Sequence, residues 1–332
     1  MQITDLTGPA TALELADVPE PAAEHFLTPG SGVIVDVRAA GVSFPEVLQT
    51  RGEYQFKPPL PFVPGSEVGG VVRSAPEDAA VTAGDRVAAF CMLGGFAEVV
   101  TAPAYFTFKL PDALSFEQGA GLVLNYHTAY FALKIRGRLE AGERVLVHGA
   151  AGGVGTAGLQ VAKALGATTI AVVSTDEKAE IARQAGADQV VRSDGAWKDE
   201  VLGLTDDGVD LVLDPVGGDR FTDSLRCLRE GGRVVVVGFT GGSIPEVRVN
   251  RLLLKNTEVI GAGWGAYVMA KPAVTVEIGR VIADMMDSGA VAPVVGARFG
   301  LEQAGEALTL LDERGATGKV VLTTGSAGGA LA

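Results

Sequence analysis

The run Leu146-Val-His-Gly-Ala-Ala-Gly-Gly-Val-Gly155 carries a buried-strand pattern straight into small residues that open a helix. Ala150, Gly152 and Gly155 stand at the three small positions of a G-x-G-x-x-G-type fingerprint, with Ala at the first. A small residue permits the tight turn. A second lets the backbone approach a pyrophosphate, and a third lets the helix pack on the strand. The helix that follows, roughly Val154 to Leu165, points free N–H groups and a partial positive charge at that pyrophosphate. Gly153 and Val154 fall within the same turn, so the chemistry on offer is dinucleotide binding.

A glycine pattern alone is weak in a chain with 45 glycines. The elements around it strengthen the reading. Arg144 to His148 supplies the first strand, and Thr168 to Val173 is a second apolar run rich in β-branched residues. A helix to Gly186 follows, then short apolar runs at Gln189–Val191, Val209–Leu213 and Arg233–Val237. Strands alternating with helices predict an α/β fold with a doubly wound parallel sheet, a Rossmann domain.

The second strand speaks to which dinucleotide. An NAD site places an acid about 20 residues past the glycines, on the ribose 2′-hydroxyl. Val173 ends this strand without one, and Ser174-Thr-Asp-Glu-Lys178 follows. Asp176 and Glu177 come late, and Ser174-x-x-Glu177 reads as a capping box. Ser174 and Thr175 can donate to a 2′-phosphate, and Lys178 or Arg192 can neutralise it. An isolated lysine is equally at home as a solvated helix residue. The missing acid and the hydroxyl pair favour NADPH over NADH.

With 332 residues the chain can hold two domains and a large core. It is 47% hydrophobic, yet no stretch approaches the roughly 18 uninterrupted apolar residues of a membrane span. The start, Met-Gln-Ile-Thr-Asp, lacks a signal-peptide pattern. Cys91 and Cys227 cannot form a disulfide framework or a four-ligand zinc site. A cytoplasmic protein is expected. The net charge of −13 disfavours nucleic acid and anionic membrane as partners. The small-residue tail from Gly325 to Ala332 is expected to fray.

Residues 1 to about 110 have a different texture. Short apolar runs at Gly32–Ala39, Gly69–Arg73, Asp85–Phe90 and Phe96–Val100 are punctuated by Gly, Pro and Asp, which predicts a β-rich, barrel-like domain. Ser115-Phe-Glu-Gln118 reads as a capping box opening a helix. Thr275–Ser288 and Leu301–Leu311 have helical periodicity, and Gly318-Lys-Val-Val-Leu-Thr323 reads as a closing strand. That strand could return to the first domain.

Motifs spread along nearly the whole chain resemble zinc-independent members of the medium-chain dehydrogenase/reductase superfamily, within it the NADPH:quinone oxidoreductase (zeta-crystallin-like) family. Ala40-Gly-Val-Ser-Phe-Pro-Glu46, Gly52-Glu-Tyr54, Pro61-Phe-Val-Pro-Gly-Ser-Glu67 and Gly84-Asp-Arg-Val87 carry the resemblance in the first domain. Asn125-Tyr-His-Thr-Ala-Tyr130, Ala150 to Gly155, Asp214 to Gly218 and Thr317-Gly-Lys319 carry it beyond. The resemblance implies a discontinuous GroES-like catalytic domain, 1–121 with 267–332, interrupted by a Rossmann NADPH-binding domain over 122–266. It also implies a cleft that holds the nicotinamide and a homodimer joined through the Rossmann sheets.

Zinc alcohol dehydrogenases of the superfamily bind their catalytic metal through a Cys and a His of the two first-domain motifs. This chain has Ser43 and Ser66 there, and a neutral hydroxyl is a poor zinc ligand. Leu122 to Thr128 offers no cysteine for a third ligand, and the four-cysteine lobe of a structural zinc is absent. Cys91 reads as a buried apolar residue. His148 lies in the first nucleotide-domain strand, His25 in a loop, and His127 near the expected nicotinamide site, where packing and cofactor contact are both open. No metal is expected. Without a Lewis acid the family's usual task is hydride transfer to a quinone or an activated double bond, whose developing charge donors can stabilise.

By the same resemblance Tyr54 is the leading catalytic candidate, holding the acceptor carbonyl or supplying a proton, with packing at a site edge as the other reading. Gln49 and Ser43 fall where relatives place polar groups near the nicotinamide, although many have Asn in place of Ser43. Thr128, Val216, Gly217 and Phe239 are expected at the cofactor, and Lys319 either at the cofactor or in a surface pair. Two further readings compete with quinone reduction. One is an enoyl-thioester or α,β-unsaturated carbonyl reductase, and the other is a non-catalytic NADPH-binding protein.

Overall fold

The computed structural model describes residues 1–28 and 30–325, so the tail expected to fray lies outside the described residues apart from Gly325. The chain divides into two compact units. One joins Met1–Leu124 to the segment from Ala292, and the other is Asn125–Val291. Residues 267–291, expected with the first unit, therefore fall in the second, where the helix Ala273–Asp287 buries Ile278, Ile282 and Met285.

The second unit is built on six strands: β1 Arg144–His148, β2 Thr168–Val173, β3 Gln189–Arg192, β4 Val209–Asp214, β5 Leu228–Val236 and β6 Glu258–Gly261. They pair in the order β3-β2-β1-β4-β5-β6, all parallel. A parallel sheet covered on both faces asks for unbroken apolar runs, and β1 supplies Val145, Leu146 and Val147, each fully buried. Each such side chain contributes about 1.5–3 kcal/mol on leaving water, which anchors the strand that carries the glycine turn. Leu146, Ile170, Val212 and Val234 pack with Trp197 and Phe221 on one side of the sheet. Chain order reverses between β1 and β4, so the ligand crevice of this topology lies beyond their carboxyl ends.

Two departures from the sequence reading have local causes. β5 begins five residues before Arg233, and its pairing with β4 shifts register between Val209 and Leu211, so the apolar run marks only its regular half. β6 gave no signal because it is four residues long and buries only Ile260.

The first unit holds a seven-stranded sheet. Its long central strand, Gly32–Val42, pairs antiparallel with Glu67–Ser74, with Val99–Pro103 and with the carboxy-terminal Lys319–Thr323. The closing strand thus returns to the first domain's sheet. Arg86–Phe90, Thr107–Lys109 and Val295–Gly300 complete it. Register decides what meets what. Val320 pairs with Val42 and Glu67 with Gly41, so Lys319, Ser43 and Glu67 converge at one end of the sheet.

Candidate functional site

The nucleotide turn is built from the residues the fingerprint named, plus one. β1 ends at His148, and Gly149 takes φ +57°, a left-handed conformation that favours glycine. Gly152 N–H then donates to the Gly149 carbonyl at 2.9 Å, closing the turn. Gly152 is the N-cap of the helix α1, Gly153–Ala164. Ala150 is fully buried.

The three glycines of this turn have separate duties. A Cβ on Gly155 would lie 2.1 Å from the Gly149 carbonyl oxygen, so only glycine lets α1 approach the strand. A Cβ on Gly153 would lie 2.7 Å from the Asn125 amide nitrogen. A Cβ on Gly152 would meet nothing nearer than 3.4 Å. Packing therefore does not demand glycine at 152, and space for a ligand does. The first N–H groups of α1 have no partner within the helix and suit an anion. These residues fit a dinucleotide pyrophosphate.

The neighbouring loops gather around this turn. Asp214 Oδ1 accepts from the N–H groups of Val216 and Gly217, both at 2.9 Å, so Asp214 shapes the loop after β4. Val216 Cγ2 lies 3.1 Å from where a Gly149 Cβ would stand, and the Phe239 ring 2.9 Å from one on Gly217. Gly241 N–H donates to the Val216 carbonyl at 2.8 Å, tying the loop after β5 to the loop after β4. Val216, Gly217 and Phe239 thus stand together beside the turn. Thr128 lies buried on the helix Val123–Tyr130, one turn beyond Asn125. The Tyr126 hydroxyl of that helix donates to Gln160 of α1 at 2.8 Å.

A second cluster forms at the end of β2. The capping box expected at Ser174 is displaced by one residue. Thr175 is the N-cap of the helix Asp176–Gln184, and its Oγ1 accepts from Lys178 N–H at 3.2 Å. β2 ends at Val173 and Thr175 itself is extended (φ −140°, ψ 163°), which puts its hydroxyl at capping distance and leaves Ser174 outside the cap. The Ser174 carbonyl accepts from Arg192 Nη2 at 2.9 Å. Arg192 also pairs with Asp176 at 2.5 Å and Asp194 at 3.2 Å. Both carboxylates are exposed, and such pairs contribute about 0–1 kcal/mol. A phosphate dianion at the same guanidinium would form a stronger charge-assisted contact than either pair. Ser174, Thr175, Lys178 and Arg192 therefore suit a 2′-phosphate.

In the first unit Ser43 caps the short helix that ends at Gln49 and meets Lys319, and Tyr54 lies near Glu46 of that helix. Lys319, expected at the cofactor or on the surface, is buried: its Nζ donates to Ser43 Oγ at 2.7 Å and Glu67 Oε1 at 2.6 Å. Gly41 makes the room, since a Cβ there would lie 2.7 Å from Lys319 Cε and 2.8 Å from Glu67 Cγ. Ser66 Oγ donates to Glu46 Oε1 at 2.6 Å, and Ser43 N–H to Glu46 Oε2 at 2.9 Å. Burial pushes the Glu46 carboxyl above its ordinary range, against the Ser66 hydrogen bond and the Lys319 charge. Burial, and then the nearby Glu46, raises the Tyr54 phenol, so it is a neutral donor at pH 7. Gln49 is buried on the short helix Phe44–Gln49, and its Oε1 has no partner among the described residues.

Glu46, Glu67 and Asn125 stand in the sequence motifs without a role of their own, and Gly149 precedes the three fingerprint positions. Acids inside an otherwise apolar stretch, and a glycine directly after the strand, were the available signals.

The three histidines and two cysteines are core residues. His148 Nε2 lies 2.8 Å from Ser224 Oγ, with its ring edge-on to Trp197. Burial lowers its pKa to about 4. His127 is edge-on to Trp264, and burial lowers it to about 3. His25 is buried in the first unit, 3.1 Å from the Cys91 carbonyl. Burial raises the Cys91 thiol and pushes Cys227 up to about 12. Among the described residues no cluster of three or more His, Cys, Asp or Glu could hold a metal ion. No helix of the described residues is long and apolar enough to cross a membrane.

Residues 29–112 match the family described as alcohol dehydrogenase GroES-like domain, and residues 153–277 that described as zinc-binding dehydrogenase. A rat protein named quinone oxidoreductase-like protein 2 is 40% identical over 324 residues, which span 96% of this chain and 90% of the relative. The chain belongs to the quinone oxidoreductase family of the medium-chain dehydrogenases/reductases. It is an oxidoreductase with that family's Rossmann and GroES-like units. A mycobacterial structure solved with NADPH is 33% identical, covers 97% of this chain and 98% of its own, and has a TM-score of 0.87. The quinone oxidoreductase of Thermus thermophilus, also solved with NADPH, is 34% identical over the same shares, with a TM-score of 0.82.

Proposed function

We propose that this oxidoreductase is a zinc-independent, NADPH-dependent reductase of quinones and similar conjugated carbonyls. The observation that carries the reading is the cation at Ser43. Ser43 and Ser66 replace thiolate and imidazole, Ser66 is spent on Glu46, and the Lys319 ammonium sits 2.7 Å from Ser43. A divalent metal there would meet weak ligands and a fixed positive charge.

NADPH is favoured by the open Gly152, the Arg192–Ser174 contact and the missing acid at the end of β2. Relatives solved with NADPH point the same way. When bound, NADPH supplies the hydride. This chain's residues hold the pyrophosphate at Gly152–Gly155 and the 2′-phosphate at Ser174, Thr175, Lys178 and Arg192. Val216, Gly217, Phe239 and Thr128 would position the nicotinamide half. On the acceptor side, Ser43, Gln49 and Tyr54 orient the carbonyl. Reduction of a quinone adds one hydride and one proton, and the neutral Tyr54 hydroxyl would give the proton.

We further propose a homodimer. β6 stands at the edge of the sheet, and the helix Asn250–Lys255 exposes Leu253 and Leu254 at 76% and 80%. Sedimentation of the wild type against Leu254→Glu tests it. A dimer that dissociates in the variant supports this face, and a monomeric wild type refutes it.

Quinones, enones and enoyl-CoA esters compared side by side as oxidants of NADPH test the activity. Highest kcat/KM with quinones is expected. Strong preference for enoyl-CoA would make the chain a thioester reductase, and NADPH binding without turnover would make it a binding protein.

A further inference from the structure

We propose that the Ser43 hydroxyl, with the Lys319 ammonium behind it, is the hydrogen-bond donor that receives the acceptor's carbonyl oxygen as it gains negative charge. The proposal deepens the reductase reading and rests on it. It gives Ser43 a catalytic contact and makes Lys319 a positioning residue acting through Ser43.

The direction of the Lys319–Ser43 bond carries the argument. An ammonium has three donors and no acceptor, so at 2.7 Å the Ser43 oxygen must accept. The serine's own proton then points elsewhere, and among the described residues it is given to none. A hydroxyl whose oxygen is held by a cation is a stronger donor, because the bonds polarise one another in a low-dielectric site. Lys319 is fixed in that role. Its side chain is 4% exposed, Glu67 is fully buried beneath it, and Gly41 is the gap through which both reach. The Ser43 backbone N–H is bonded to Glu46, which fixes the backbone there, and the Lys319 bond holds the side-chain oxygen.

A second observation, on the helix that Ser43 caps, points to a polar ligand. Gln49 shares the short helix with Glu46, is 6% exposed, and keeps a buried Oε1 that no described group satisfies. A buried amide oxygen without a partner is costly, and an incoming polar molecule relieves it. Ser43 and Gln49 together offer a polarised donor and an amide to an acceptor that carries oxygen. In the step proposed, hydride adds to the acceptor, its carbonyl π bond becomes an oxyanion, Ser43 hydrogen-bonds that oxyanion, and a proton then completes the hydroxyl. Ser43 keeps its own proton throughout.

The test compares wild type with Ser43→Ala, Lys319→Met and the double variant, by quinone turnover at saturating NADPH and by NADPH affinity from fluorescence. A third readout is independent of turnover: the absorbance titration of para-nitrophenol bound to the protein, a stable oxyanion mimic. Ser43→Ala leaves the Lys319–Glu67 pair intact and so keeps the fold. It is expected to lower kcat about 10²–10³-fold, the usual loss for one oxyanion donor, with NADPH affinity unchanged. Bound para-nitrophenol should ionise more readily on wild type than in solution, and lose that advantage in Ser43→Ala and Lys319→Met alike. The double variant should be no worse than either single one, as for residues acting as a unit. Should Lys319→Met fail to fold over the stranded Glu67, Lys319→Met with Glu67→Gln removes both charges.

Full turnover in Ser43→Ala, additive losses, or losses confined to NADPH affinity would overturn the proposal. A wild type inert towards quinones would instead sink the reductase reading. The para-nitrophenol titration would still decide on Ser43.

Discussion

Arg192 Nη2 donates to the carbonyl of Ser174 at 2.9 Å, which locks the end of β3 to the end of β2 where an NAD enzyme would carry its acid. The guanidinium is otherwise held by two exposed carboxylates that a phosphate can outcompete. Arg192→Ala should therefore raise the KM for NADPH about 10- to 100-fold, the size of one charge-assisted contact. Lys178→Ala should act in the same direction. KM for NADH should stay nearly constant in both. Steady-state kinetics with the two cofactors check this, and equal effects on both would remove the 2′-phosphate assignment.

Gly152 and Gly155 should fail differently as alanine. At Gly155 the added methyl would stand 2.1 Å from the Gly149 carbonyl oxygen, backbone that cannot give way. Gly155→Ala should lower the melting temperature and cofactor affinity together, with a stability cost of about 1–3 kcal/mol, as for other overpacked sites. At Gly152 the methyl meets nothing within 3.4 Å and the backbone is unstrained. Gly152→Ala should keep stability within about 0.5 kcal/mol and still weaken NADPH binding, because the methyl occupies phosphate space. Calorimetry paired with NADPH titration separates the two.

Tyr54 should titrate above an ordinary tyrosine, chiefly because it is partly buried and secondly because Glu46 is near. Removing that negative charge favours the phenolate, so Glu46→Gln should lower the Tyr54 pKa, read from ultraviolet difference spectra against Tyr54→Phe. Tyr54→Phe itself should cut kcat by about 10²–10⁴, the range for a general acid. Unchanged turnover of both quinones and enones would take Tyr54 out of the mechanism.

Acid should destabilise the protein through its buried histidines. His127 and His148 are held neutral in the fold, with pKa values of about 3 and about 4, against roughly 6.5 in the unfolded chain. Their stability contribution is complete above pH about 6.5. It is lost as pH falls towards those folded values, because the unfolded state takes up protons the folded state refuses. Each contributes a slope of up to about 1.4 kcal/mol per pH unit. Urea midpoints between neutral and mildly acid pH should fall for wild type and flatten for His127→Gln.

β1, β2 and β4 are legible because burial on both faces writes itself as apolar runs, and the short edge strand β3 is legible only through Val190 and Val191. β6 and the first half of β5 are not, since Glu258–Gly261 buries only Ile260 and β5 shifts register against β4 before Arg233. The glycine turn was legible because its constraints are local. The helix cap moved from Ser174 to Thr175 because hydroxyls at either position satisfy the same pattern, and only the exit of β2 chooses between them. The surface reading of Lys319 fails, because the residue is buried, and the sequence hid this for a different reason. Its partners Ser43 and Glu67 are distant in sequence, and the register that brings them together arises only when the carboxy-terminal strand closes on Gly32–Val42.

The central claim is hydride transfer from NADPH to a quinone without a metal. Quinone reduction by protein dialysed against a strong zinc chelator tests it most directly, with NADPH and hydroquinone both counted. The account predicts one hydroquinone per NADPH at a rate equal to that of untreated protein, and no gain on adding zinc. A rate that collapses after chelation and returns with zinc, or no quinone turnover at all, would contradict it.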